Sequence, residues 1–375
     1  MNLPKNKVIL PPKTIGIIGG GQLGRMMAIE AKYMGYQVAV LDPTPNCPTA
    51  QVADKHFVAD YDDLDAIKEL TEYSDVITYE FENVDLEAAT YIEKAGKLPQ
   101  GAYPLEVTQN REVEKTVLSD LGLPVAPFTI VKTKEECEAA LKDAPLPSVI
   151  KTCRGGYDGK GQFKIETEAD FEKAIEFMNP EETYIIEQWI PFDKEISVVF
   201  SCTADGNFKM FPVGENNHKD HILAETTVPA EINEAVYNKA VVAARTLADS
   251  MLIVGTFTIE IFVVGDGIFI NEMAPRPHNS GHYTIEACNI SQFKQHIRAI
   301  CGLPLTEVTL HKKAKMLNVL GEDMNLALRA LENQPEAFVH LYGKSEVKEK
   351  RKMGHVTFIA EDLKQLEEMK SEYEK

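Results

Sequence analysis

The sequence predicts a parallel α/β unit at the N-terminal end, an α+β unit in the middle and a small third unit closing the chain. Three observations carry this prediction. The 375 residues exceed one core of ordinary size, at roughly 150 residues per domain. Up to Arg111, short apolar runs alternate with helical patterns, the mark of a parallel sheet covered on both faces. Beyond a helix near Val113 to Leu121, which ends at Gly122 ahead of Pro124 and Pro127, strands and helices fall in separate runs.

In order, Thr14 to Ile18 reads as a buried strand, followed by the glycine turn Gly19-Gly20-Gly21-Gln22-Leu23-Gly24 and a helix through Met34. Strands follow at Val38 to Leu41, His56 to Val58 and Val76 to Tyr79, with a helix over Leu64 to Tyr73. The middle unit shows strands at Phe128 to Val131, Val149 to Thr152, Tyr184 to Glu187 and Ile196 to Ser201, and helices at Phe171 to Met178 and Glu231 to Ser250. The last part has a helix around Asn325 to Leu331, strands at Ala337 to Leu341 and Val356 to Ile359, and a polar helix from Asp362. Internal repeats and low-complexity tracts are absent from the sequence.

Composition narrows the function. With 39 basic against 58 acidic residues the net charge is −19, which argues against a surface that coats a long nucleic acid or an anionic membrane. Six cysteines without a CxxC pair argue against a disulfide scaffold or a compact metal knot. Lys5, Lys7 and Lys13 precede or interrupt an apolar stretch broken by Pro11 and Pro12, so neither a signal segment nor a membrane span is drawn. The expectation is a cytoplasmic, enzyme-sized protein whose partners are small molecules.

Several constellations carry chemistry. Gly19-x-Gly21-x-x-Gly24 after a strand, with Asp42 closing the second strand, satisfies a dinucleotide fingerprint, yet the same glycines serve any turn where a backbone approaches an anion. Lys151 ends a strand ahead of Gly155-Gly156-Tyr157-Asp158-Gly159-Lys160-Gly161-Gln162, a glycine-rich flap whose amides and ammonium suit phosphates. Glu187-Gln188-Trp189-Ile190 and Glu195 form a link able to offer backbone groups to an adenine edge and a carboxylate to ribose, or simply a structural turn.

Glu260 and Glu272 are the most informative pair. Thr256 to Val264 and Ile268 to Met273 read as a hairpin around a three-residue loop, Gly265 to Gly267, which sets Glu260 opposite Glu272 and Asn271 on the other face. Facing carboxylates at about 5 Å repel unless a cation lies between them, and hard oxygen ligands suit Mg²⁺. Arg276-Pro277-His278-Asn279-Ser280-Gly281-His282 gathers a guanidinium, two imidazoles and small polar groups in a loop suited to an anion; no third ligand supports zinc on His278 and His282. His218 and His221 read as surface residues.

Taken together, Gly19 to Arg25, Gly155 to Gln162, Asn271-Glu272-Met273-Ala274-Pro275-Arg276, His278 to His282 and Arg351-Lys352-Met353-Gly354-His355 resemble the ATP-grasp superfamily. Within it, they resemble the 5-(carboxyamino)imidazole ribonucleotide synthetase family over nearly the whole chain. The resemblance implies a Rossmann-like pre-ATP-grasp domain over 1–111, a central ATP-grasp domain over 112–298 and a small C-terminal domain over 299–375, in a homodimer. It implies ATP against Arg111, Lys151, Gly156, Tyr157, Asp158, Gly159, Lys160, Gly161, Gln162, Glu187, Gln188, Trp189, Ile190, Glu195, His218, Asn271 and Glu272. Glu260 and Glu272 are implied as the ligands of Mg²⁺ or Mn²⁺. The ribonucleotide is implied near Gln22, Leu23, Glu80, Tyr157, Asp158, Lys160, Arg276, His278, Asn279, Ser280, Lys344, Arg351 and Lys352. Lys160 stands where many relatives have Arg, keeping charge without the bidentate fork, and Glu349-Lys350 replaces a common Pro-Gly ahead of Arg351.

The implied reaction is ATP-dependent carboxylation of 5-aminoimidazole ribonucleotide by bicarbonate, through carboxyphosphate, in purine biosynthesis. Arg276, Lys151, His278 and Asp158 are the residues expected to touch reacting groups, and no covalent side-chain nucleophile is needed. A formate-activating glycinamide ribonucleotide transformylase is the nearest alternative; a nicotinamide-dependent oxidoreductase leaves the Lys151 loop and the carboxylate hairpin unexplained.

Overall fold

The computed structural model describes residues 8–156 and 161–375. Near the N-terminus, β1 (Thr14–Ile18), β2 (Gln37–Leu41), β3 (Lys55–Phe57) and β4 (Val76–Tyr79) form a parallel sheet in the order β3-β2-β1-β4. Alternate residues of β1 serve opposite faces: Ile15 and Ile17 pack with Met27 of the helix Gln22–Tyr33, while Ile18 joins Ile67 and Leu70 of the helix Leu64–Tyr73. Phe293 and Ile297, from the much later helix Gln292–Ile300, complete the first of these clusters. The N-terminal unit is thereby closed by a helix from the middle of the chain.

A second sheet holds β5 (Phe128–Val131), β6 (Ser148–Thr152), β7 (Gln162–Ile165) and β8 (Tyr184–Gln188), antiparallel in the order β5-β8-β6-β7. Its apolar face, with Val131, Ile150 and Ile186, is covered by the helices Lys134–Asp143 and Phe171–Glu176. The third sheet comprises β9 (Lys194–Cys202), β10 (Phe208–Met210), β11 (Gly214–Lys219), β12 (Ile222–Val228), β13 (Gly255–Val264), β14 (Gly267–Ala274), β15 (Lys313–Leu320), β16 (Phe338–Leu341) and β17 (Lys352–Ala360). Its order is β14-β13-β9-β11-β12-β15-β17-β16, with β10 on β9. The helix Glu234–Ser250 lays Ala240, Ala244 and Leu247 on Ile196, Val198, Ile259 and Ile261 of this sheet.

Because β12 pairs with β15 from Glu225 opposite Leu317 to Val228 opposite Ala314, the C-terminal strands prolong the central sheet rather than forming one of their own. A buried ionic link reinforces the seam: Glu225 pairs with Lys315 at 3.2 Å and with Lys370 of the helix Leu363–Tyr373 at 2.6 Å.

Several boundaries differ from the sequence reading for local reasons. The helix expected from Glu231 begins at Glu234, because the Asn233 side chain accepts from the Val236 amide and caps it there. The helix expected from Val113 begins at Arg111, with Asn110 accepting from the Glu112 amide. β3 stops at Phe57 and leaves Val58 exposed. The sequence reading draws no strand at β7, β10 to β12 or β15; β11 (Gly-Glu-Asn-Asn-His-Lys) carries no apolar alternation and is paired on both sides, with β9 and β12.

Candidate active site

A cavity of about 790 Å³ lies where the second and third sheets face each other. Of the residues implied for ATP, Arg111, Lys151, Gly156, Gly161, Gln162, Glu187, Gln188, Trp189, Ile190, Glu195, His218, Asn271 and Glu272 line it, together with Glu260. Tyr157, Asp158, Gly159 and Lys160 lie outside the described residues.

The cationic wall begins at the end of β6. Lys151 Nζ donates to Glu187 Oε2 at 2.7 Å, and Lys115 Nζ lies 3.9 Å from the other oxygen of that carboxylate. Burial acts to raise the Glu187 pKa, but Lys151, Lys115 and Arg111 outweigh it and hold the carboxyl well below the usual range. Burial lowers the Lys151 pKa, with Glu187 opposing the shift. Arg111 Nη2 donates to Glu272 Oε2 at 3.0 Å, while its Nη1 is buried with no hydrogen-bond partner among the described residues. An unsatisfied guanidinium nitrogen and a desolvated ammonium on one wall suit an anion.

The opposite wall is acidic. Glu260 pairs with Glu272 as expected, but by a different route from the one the sequence suggested. The turn is tighter than a three-residue loop, with Val264 opposite Gly267; continued unbroken, that register would set Glu260 against Asn271. A β-bulge between the Ile261–Ile270 and Glu260–Glu272 pairs leaves Asn271 as the extra residue and restores the facing carboxylates. Asn271 consequently lines the cavity instead of the far face. Burial, then repulsion from Glu195 and Glu272, raises the Glu260 pKa well above the usual carboxylate value; burial, then Glu272, pushes Glu195 up to about 8. This crowding of carboxylates is the electrostatic complement of a small hard cation. Among the described residues no three His, Cys, Asp or Glu side chains gather as a complete metal cage.

At the end of the cavity, Arg276 Nε donates to Glu82 Oε2 at 2.6 Å and Nη1 to its neighbour Pro277 O at 3.2 Å. His278, whose Nε2 lies 3.6 Å from Glu260 Oε1, is held neutral by burial and by the nearby Arg276 and Lys352 charges. Asn279 lines the cavity with both amide atoms buried and without hydrogen-bond partners among the described residues. Lys352 lines it too. Ser280 instead braces His278 Nδ1 at 2.8 Å, Lys344 Nζ donates to Lys352 O at 2.6 Å, and Arg351 Nη1 donates to Glu346 O at 2.8 Å; these three are not on the cavity wall. His282 is fully buried against His355 and does not line the cavity.

The first glycine turn is not a free phosphate cradle. Glu80 accepts from the amides of Gly21 and Gly24, and Asp42 Oδ2 accepts from Gly20 at 2.7 Å and from the Tyr61 hydroxyl at 2.6 Å. Gln22 and Leu23 open the following helix beside this filled turn, outside the cavity. Cys153, near the flap, is a buried bystander whose thiol burial pushes up to about 11.

Glu82, Glu114 and Lys115 were not singled out from the sequence. Each is a charged residue in an otherwise ordinary loop or helix; burial in the folded chain, at 2% exposure for Glu114 and 1% for Lys115, marks those two, and Glu82 stands out only by its contact with Arg276.

The comparisons with known proteins agree with this geometry. Residues 12–109 match the ribonucleotide synthetase preATP-grasp domain family, 116–293 the ATP-grasp domain family, and 314–369 the phosphoribosylaminoimidazole carboxylase C-terminal domain family. The chain is 49% identical over 354 residues to N5-carboxyaminoimidazole ribonucleotide synthase of Bacillus subtilis (strain 168), covering 94% of this chain and 93% of that one. It is 42% identical to the enzyme of the same name from Staphylococcus aureus (strain MRSA252), over 95% of each chain. A crystal structure of an N5-carboxyaminoimidazole ribonucleotide synthetase in complex with ADP superposes with a TM-score of 0.95 at 51% identity, covering 98% of both chains. The Aspergillus clavatus synthase, solved with ADP and 5-aminoimidazole ribonucleotide, superposes at 0.89 with 30% identity over 96% of this chain and 97% of that one. The chain belongs to the N5-carboxyaminoimidazole ribonucleotide synthase family, ATP-grasp ligases that form a carbon–nitrogen bond by carboxylating 5-aminoimidazole ribonucleotide at the expense of ATP.

Proposed function

We propose that the chain performs this carboxylation in a single cavity by charge positioning. The supporting observation is the opposition of a cationic wall, Lys151 and Arg111, to the acidic pair Glu260 and Glu272, with Arg276 and Asn279 at the end of the same space. A bicarbonate oxygen attacks the γ-phosphorus of ATP, the bond to the β-phosphate oxygen breaks and ADP departs with that electron pair. The exocyclic amine of the ribonucleotide then attacks the carboxyl carbon of carboxyphosphate, phosphate leaves and the amine loses a proton.

Lys151 and Arg111 stabilise charge on the phosphoryl oxygens, and Gln188, Trp189 and Ile190 flank the nucleotide base. Glu195 and His218 complete the nucleotide subsite with Gly156, Gly161, Gln162 and Asn271. Glu260 and Glu272 would hold Mg²⁺ or Mn²⁺, which when bound would neutralise phosphate charge. Arg276, oriented by Glu82, holds bicarbonate, and neutral His278 with Asn279 and Lys352 meets the ribonucleotide. Gln22, Leu23, Glu80, Ser280, Lys344 and Arg351, beyond the cavity wall, are assigned to the ribonucleotide by the resemblance, as are Tyr157, Asp158, Gly159 and Lys160 of the flap to both substrates.

The domain division at 111/112 and 298/299 and a homodimeric, cytoplasmic enzyme belong to the same reading. Six unpaired cysteines are compatible with a reducing compartment, and no helix among the described residues is long and apolar enough to cross a membrane. The test is phosphate release from ATP: it should rise on adding 5-aminoimidazole ribonucleotide with bicarbonate and not when formate replaces bicarbonate. No rise with bicarbonate, or an equal rise with formate and glycinamide ribonucleotide, overturns the assignment.

A further inference from the structure

The bulge in β14 decides whether Glu272 faces Glu260, and its geometry is met from outside the hairpin. Arg111, Glu114 and Lys115 stand on one face of the helix Arg111–Asp120, at spacings of three and four residues. That face touches four consecutive residues of β14. Lys115 Nζ donates to Ile270 O at 3.1 Å and to Asn271 O at 2.8 Å. Glu114 Oε1 accepts from the Met273 amide at 2.7 Å, and Arg111 Nη2 reaches Glu272 Oε2 at 3.0 Å.

Carbonyls of successive residues in a regular strand point to opposite sides. One ammonium therefore reaches two successive carbonyls only where the strand is distorted, as it is at Asn271. β14 is the edge strand of the sheet, so its outward backbone groups need partners from outside the ladder; the bulge adds to them by turning two successive carbonyls toward the helix. The hairpin's own apolar pattern favours the same shift, because the bulge keeps Met273 with Ile268 and Ile270 in the core, where an unbroken ladder would set Glu272 opposite Ile259; the helix adds fixed partners for the distorted backbone.

We propose that Glu114 and Lys115 are positioning residues that hold Glu272 in place opposite Glu260 by clamping the β14 bulge. The proposal rests on the reading of Glu260 and Glu272 as cation ligands. Without the clamp the bulge is held only by the burial of Met273 in the core, the Ile270, Asn271 and Met273 backbone groups lose their side-chain partners, and Glu272 loses its fixed place opposite Glu260. The clamp comes from the segment that enters the central domain, so docking of this helix and assembly of the cation site are one event.

The experiment is titration of the full-length, ADP-loaded protein with Mn²⁺, followed by electron paramagnetic resonance of the free ion. Lys115→Met and Glu114→Leu should each weaken Mn²⁺ binding at least tenfold, Glu114→Gln should retain it because the amide oxygen still accepts from Met273, and metal-free ADP binding should hold. Glu272→Gln is the control. If it weakens Mn²⁺ binding while Lys115→Met and Glu114→Leu bind as wild type, the clamp is refuted and the cation reading stands. If Glu272→Gln also binds as wild type, the cation reading fails and the clamp's purpose with it. Should the two clamp variants not fold, hydrogen exchange on the wild-type, metal-free protein decides: the Met273 amide should exchange as slowly as its buried neighbours in β13, and exchange at the rate of an exposed loop amide would overturn the proposal.

Discussion

Glu80 places its carboxylate on the amides of Gly21 and Gly24, the position a dinucleotide phosphate takes in a nucleotide-binding Rossmann turn. An internal anion thus saturates the donors that the glycine pattern advertises. NADH fluorescence should accordingly show no saturable change on titration with the protein. A Cβ at Gly21 would come within 2.5 Å of Glu80 Oε1, so Gly21→Ala should displace this carboxylate and lower stability by about 1–3 kcal/mol in urea unfolding.

Lys151 and Glu187 form a buried pair whose removal separates stability from turnover. Lys151→Met leaves Glu187 with Lys115 at 3.9 Å, so the fold should persist with a loss of about 3 kcal/mol. Turnover should fall by about 10²–10³, the usual consequence of removing one charge-stabilising donor. The double variant Lys151→Met/Glu187→Gln should recover stability in thermal unfolding without recovering turnover. Recovery of both would assign Lys151 a purely structural role.

The acidic wall predicts a distinctive pH response. Glu195, raised to about 8, and Glu114, raised to about 7, both mainly by burial, bind protons in the folded state that the unfolded chain has already released above its ordinary carboxylate range. Their contribution to stability is present at low pH and is lost as pH rises through about 7 to 8. The ligand-free melting temperature should therefore decline across that interval. A cation beside Glu195 and Glu260 favours their ionised forms, so Mn²⁺ affinity should increase with pH up to about 8 and then level. Calorimetry in buffers of different ionisation enthalpy should register proton release on binding; its absence would contradict the shared carboxylate field.

Leu247, fully buried between the helix Glu234–Ser250 and the central sheet, lies behind the cavity rather than in it. Leu247→Ala should cost about 2–5 kcal/mol in chemical denaturation, and the KM for ATP should be unchanged at temperatures where the variant is folded.

Much of the fold was legible locally. The helix Leu64–Tyr73 and the strands Val76–Tyr79 and Phe128–Val131 follow directly from apolar periodicity bounded by turn residues. Strand β11 escaped because its residues are polar and its existence depends on β9 and β12. The facing of Glu260 and Glu272 was anticipated through a loop one residue too long; the bulge compensated the error. The signal lies in the spacing of Ile268, Ile270 and Met273, which a regular strand cannot keep on one face, but that all three are core residues is visible only in the folded chain.

The chemistry on offer resides in the sequence itself: the Lys151 flap, the two hairpin carboxylates and the Arg276 loop are each recognisable from residue type and spacing. Their surroundings were decided by tertiary structure. Folding spent the first glycine turn on Glu80 and Asp42, filled the cavity end with Arg276 braced by Glu82, and joined the C-terminal strands to the central sheet. The physical reason is that backbone donors and buried charges must find partners somewhere in the folded molecule, and which partner they find depends on contacts between segments that local sequence does not connect.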